Sequence, residues 1–199
     1  MIAWLLLACS GTPPEGALTV TEVAEVELED PDGAVGRPRR RMNVDQLARA
    51  IEDVTGHPWS EDDVALFDRL SGTLGKPEFL DSTEEDLTPG LLFQKFLDDA
   101  AKQTCRKRAT DDGALPPGER LFIHPADPAA DPRTDPDATR QTLQRALLRF
   151  HGRVVPDDHP DLARWQWLVE TVYDRTGTGI VAWRAVCVGL ITHPDFYSY

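Results

Sequence analysis

The sequence is poor in positive charge: 21 Lys and Arg stand against 34 Asp and Glu, a formal net charge of −13. A surface that acidic repels phosphate backbones, which speaks against nucleic acid as a partner. Anionic lipid headgroups repel it as well, so no basic face holds the chain on a membrane. Long hydrophobic runs are also missing. The apolar stretch MIAWLLLA at 1–8 falls far short of the roughly 20 helical residues needed to cross a hydrocarbon core. The stretch IVAWRAVCVGLI at 180–191 is short as well and carries Arg184. G-x-S-x-G, H-E-x-x-H, the P-loop, G-x-G-x-x-G and the C-x-x-C-H of covalent haem are all absent, so no catalytic set and no cofactor is expected from motif.

What is present at the start of the chain is an apolar run closed by a small residue. These are two of the three parts of a secretory signal, the missing part being a Lys or Arg ahead of the run. Leu6-Leu7-Ala8-Cys9 resembles the lipobox of bacterial lipoproteins. In that family the cysteine thiol takes a diacylglyceryl group and the chain is cut just before it. The resemblance implies a signal peptide at 1–8, lipidation at Cys9, and membrane contact through acyl chains. Ser10 stands where the enterobacterial pattern has the aspartate that retains lipoproteins in the inner membrane, which implies the periplasmic face of the outer membrane. SGTPPEGA after Cys9 is too poor in apolar residues to pack and suits a leash. The other reading keeps Met1–Cys9 as a buried strand or helix end of a cytosolic protein with a free thiol.

Hydrophobic residues make up 41% of the chain, enough to fold, while 16 Pro and 14 Gly predict many interruptions. Residues 9–41 read as an acidic tether, with Arg37, Arg39, Arg40 and Arg41 as a solvated basic stretch pairing with the acids between Glu22 and Asp32. Residues 42–199 read as one all-α domain, an irregular bundle of about six helices with long Pro/Asp-rich connections. Asn43 caps a helix through Val44, Leu47, Ile51 and Val54 that ends at Gly56, and Ser60 caps the next, through Val64, Phe67, Leu70 and Leu74. A third runs from Thr88 to about Cys105, burying Leu92, Phe93, Phe96, Leu97 and Ala100, with Arg106, Lys107 and Arg108 complementing its C-terminal dipole. Thr110 to Asp137 is a long loop pinned by Leu121, Phe122 and Ile123, and a loop of that length often faces a partner. Three helices follow: one from Asp135 to Gly152, one from Pro160 to about Gly177, and the apolar stretch at 180–191 as the most buried.

Four of the five histidines precede proline, and two of them, at 159–161 and 193–195, form His-Pro-Asp. The tripeptide resembles the signature of J-domain co-chaperones, although the basic helix that precedes it there is absent. Its residues also suit an ordinary helix start, with proline in the first turn and an acid beside it. HGRVVPDDHPD offers His151, Asp157, Asp158 and His159 as metal ligands. It matches no recognised zinc spacing, so a turn is expected and no metal.

Once Cys9 is taken by lipid in an exported chain, Cys105 and Cys187 remain as an even pair in a compartment where disulfides persist. They either bridge or act as two small buried hydrophobes. Ala182-Trp183-Arg184 with Leu190-Ile191-Thr192-His193-Pro194-Asp195-Phe196, together with Arg39-Arg40-Arg41-Met42-Asn43, resembles helical modules of planctomycete-type secreted proteins that often accompany cytochrome c domains. The resemblance implies an envelope-associated helical module and brings no catalytic residue. The expected function is a lipid-anchored envelope protein that binds or scaffolds another envelope protein. The alternative is an envelope enzyme with its site near His151 and His159 or in the 110–137 loop.

Overall fold

The first helix follows from its cap. In a computed structural model of the chain, which describes residues 40–61, 64–71, 87 and 89–198, α1 spans Val44–Thr55. The Asn43 side chain accepts the Gln46 N–H, and the Gln46 side chain accepts the Asn43 N–H, a reciprocal box that satisfies two free donors. Val44, Leu47, Ile51 and Val54 form its buried face.

After α1 the chain departs from expectation. Ser60 does not open a helix. It lies in a two-residue antiparallel ladder, β1 (Ser60–Glu61) against β2 (Val64–Ala65), and α2 starts only at Leu66 and runs to Ser71. The reason is tertiary. Trp59, Phe67 and Phe96 meet edge-to-face with centroids 4.9–5.3 Å apart, a geometry favourable beyond area burial. The Ser60 carbonyl meanwhile accepts from the Gln103 and Lys107 side chains. Leu74, expected on the same helix face, lies outside the described residues.

The next helix, α3, spans Leu91–Ala114 with Gly90 as its cap, so it outruns the expected end at Cys105. The basic triplet Arg106-Lys107-Arg108 lies inside the helix and not at its end. Arg108 is buried and meets Asp112, one turn on, at 3.0 Å. Asp112 is fully buried and also accepts the backbone N–H groups of Leu121, Phe122 and Ile123. The same carboxylate thus prolongs the helix and pins the loop after it, where Phe122 and Ile123 are core residues and Leu121 is at the surface. Leu92, expected in the buried stripe, is exposed.

Four more helices close the fold: α4 (Pro136–His151), α5 (Pro160–Thr176), α6 (Gly179–Thr192) and the single turn α7 (Pro194–Tyr197). Among the described residues the six longer helices make an all-α, irregular bundle. α6 is its axis, packed along α3 and α5, with Trp183, Val186, Cys187 and Ile191 fully buried. Cys105 of α3 and Cys187 of α6 form a disulfide, Cα–Cα 5.8 Å. Met42 N–H donates to the Tyr197 carbonyl at 2.6 Å, closing the domain on itself. Arg41 is not solvated as expected: it is buried, with its guanidinium 4.9 Å from the centre of the Phe93 ring. Arg37, Arg39, the acids between Glu22 and Asp32, and Cys9 lie outside the described residues. Among the described residues no helix is long and apolar enough to cross a membrane.

Candidate functional site

Three helix ends converge on one cleft. α4 ends at Gly152, whose φ of 65° is open to glycine without strain. This sharp end leaves His151 in the last turn and Arg153 just beyond it. α5 opens at His159-Pro160-Asp161 and α7 at His193-Pro194-Asp195, and the two starts are built alike. In each the histidine is the cap, its Nδ1 accepting the aspartate N–H two residues on, at 3.2 Å for His159 and 3.1 Å for His193. Arg153 joins them, one terminal nitrogen 3.0 Å from Asp161 Oδ2 and the other 3.1 Å from Asp195 Oδ2.

His151 sits beneath this clamp. Its Nε2–H donates to the Leu190 carbonyl at 2.9 Å. A carbonyl can only accept, so the proton belongs on Nε2 and Nδ1 keeps its lone pair. The His151 and His193 rings stack with centroids 5.0 Å apart, and Trp165 lies 6.3 Å from both. Burial pushes the His151 imidazolium below the ordinary histidine range, against the hydrogen bond to Leu190, so the ring is neutral at neutral pH. Burial works against ionisation of Asp161 too. There the hydrogen bond and charge of Arg153, helped by His159 and Arg164, outweigh it and hold the carboxyl below its usual value.

The cleft has a volume of about 390 Å³ and is lined by His151, Arg153, Asp161, Arg164, Trp165, Trp167, Leu168 and His193. Trp167 is 66% exposed, unusual for so large an apolar ring. Trp165 is positioned by a small residue across from it: a Cβ on Gly189 of α6 would come within 3.0 Å of its ring. A mixed apolar and charged hollow of this size, walled by two tryptophans, is suited to holding a ligand or a partner's side chain.

Of the residues singled out from sequence, Cys105 and Cys187 are bonded to each other in the core, and Cys9 is outside the described residues. His151 is in the cleft, whereas His159 does not line it and acts as a helix cap. Asp157 and Asp158 do not join His151; Asp157 instead accepts from Gln144 at 2.8 Å. The residues that do join His151 are His193 and Asp195. From the 110–137 loop, Asp127, Pro128 and Ala129 line a separate hollow with the end of α3 and the start of α6. Arg153, Trp165, Trp167, His193 and Asp195 had no signal beyond the doubled His-Pro-Asp, which read equally well as two unrelated helix starts. Comparison of the chain with protein-family models, with curated proteins and with solved structures finds no match.

Proposed function

We propose that this chain is a lipid-anchored protein of the cell envelope whose helical domain binds another envelope component through the cleft at the three helix ends. The observation that carries the binding reading is the cleft itself, where the largely exposed Trp167 stands beside Trp165, Leu168 and the charged Arg164. Aromatic and arginine side chains are the groups that dominate binding energy at interfaces. The disulfide between Cys105 and Cys187 supports an oxidising compartment. The Leu6-Leu7-Ala8-Cys9 pattern supports attachment through acyl chains at Cys9, on the periplasmic face of the outer membrane. An acidic chain needs such an anchor, since its net charge of −13 repels anionic lipid.

A second reading, an envelope enzyme, rests on His151, whose neutral ring lines the cleft with Nδ1 free of the Leu190 hydrogen bond. The partner reading is tested with the full chain as bait on detergent-solubilised envelope. The wild type retains one stoichiometric protein, and Trp167→Ala or Arg164→Glu releases it. Equal recovery by the wild type and both variants contradicts the reading.

A further inference from the structure

We infer that His151, His193 and Asp195 form a binding site for a divalent transition metal of the zinc class. This goes beyond the proposed binding role and holds whether or not a partner occupies the cleft. Each residue offers one ligand atom, and the three atoms all lie within 4.8 Å of one another. Tetrahedral zinc with N and O ligands sets its donors about 3.3 Å apart, so the set closes by about 1–2 Å on binding. The freedom to close sits on one side. His193 and Asp195 are partly exposed and stand at the start of the four-residue α7, while His151 is held from behind by its Leu190 bond.

The surroundings are those of a metal site. A ligating histidine almost always gives its other ring N–H to a carbonyl or carboxylate, which fixes the tautomer. His151 does this toward Leu190. Ligating carboxylates are oriented by their own hydrogen bonds, and Arg153 holds Asp195 in this way. His193 Nδ1 lies 3.8 Å from Asp195 Oδ2; on binding it exchanges the Asp195 N–H for the metal. Two imidazoles with one carboxylate suit zinc and its neighbours and not the oxygen-seeking calcium or magnesium. Three protein ligands leave a fourth position for water or a ligand, and two of the three, His151 and His193, line the cleft.

The fold supplies its own control. His159 and Asp161 repeat the local geometry, with Nδ1 to Oδ2 at 3.7 Å and the same cap bond, yet among the described residues no third donor joins them.

The test uses the full chain without a histidine tag, titrated with Zn²⁺ by calorimetry and with Co²⁺ by absorption. One equivalent binds, and Co²⁺ gives visible bands of a nitrogen and oxygen set without a thiolate charge-transfer band, which separates this site from Cys9. His151→Ala, His193→Ala and Asp195→Asn each weaken binding at least about tenfold, while His159→Ala leaves it unchanged. Asp195→Asn keeps the side-chain shape, so the test survives misfolding of a histidine variant. No zinc uptake by the wild type, undiminished affinity in Asp195→Asn, or an equal loss in His159→Ala overturns the inference. Partner recovery is scored separately, so failure of one proposal is not failure of the other.

Discussion

Asp112 carries more of the local structure than any residue near it. It is fully buried, accepts three backbone N–H groups from the following loop, and neutralises the buried Arg108. Removing Asp112 leaves the buried Arg108 guanidinium only the partly exposed Asp111 carboxylate, 3.6 Å away, as counter-charge. Asp112→Ala is therefore expected to cost about 3–5 kcal/mol, read from urea unfolding; a loss below about 1 kcal/mol would show that the Asp112 carboxylate does not hold the loop. Asp161 governs acid sensitivity instead. Its folded-state pKa is lowered, so its contribution to stability is complete above the ordinary carboxylate pKa of about 4 and drains away as pH falls through the folded value. Stability measured against pH should fall less steeply on the acid side in Asp161→Asn than in the wild type. An unchanged slope would mean that Arg153 does not bind Asp161 in solution. Neither residue's role could be read from sequence: an aspartate four residues from an arginine, as Asp112 is from Arg108, looks the same on a solvated face as in a core, and Asp161 meets Arg153 across eight residues and a helix start.

At the scale of elements, the helices with strong caps were legible. Asn43 opens α1, Asp135 and Pro136 open α4, and Gly152 and Gly177 close α4 and α5, since capping depends on a few neighbouring residues. The extent of α3 and the start of α2 were not legible, because Asp112 and the Trp59, Phe67 and Phe96 cluster act across the fold. The cleft was half legible. His151 was in view, but its companions His193 and Asp195 come from another helix end, brought near only when α6 packs along α5. The loop before α4 docks on α6 at Gly179, where a Cβ would meet the carbonyl oxygens of Pro128 and Ala130 at 2.6 and 2.5 Å. Backbone cannot swing aside as a long side chain can, so Gly179→Ala is expected to destabilise by about 1–3 kcal/mol. Gly118→Ala, with open space around it, serves as the control. Equal melting temperatures for the two variants would show that the loop is not seated on α6.

At the scale of the whole molecule, the disulfide joins α3 and α6 across 82 residues of chain. By the chain-entropy relation a loop of that size contributes up to about 4–5 kcal/mol. Reduction under native conditions, or Cys105→Ala with Cys187→Ala, should lower the unfolding free energy by a few kcal/mol, and two alkylatable core thiols in the unreduced, denatured protein would contradict the bridge. That bond, a net charge of −13 and the proposed anchor belong to one account, in which an acidic domain works outside the cytoplasm and is kept at a membrane by lipid alone. Acyl chains contribute about 0.8 kcal/mol per buried methylene, so two or more long chains on Cys9 hold the protein essentially permanently. The most direct measurement is fatty-acid-probe labelling, with intact mass, of the full chain produced in a bacterium. The account predicts a labelled, membrane-sedimenting protein whose mass starts at a lipidated Cys9, and no label in Cys9→Ala; equal labelling of the two, or a mass that retains Met1, would contradict it.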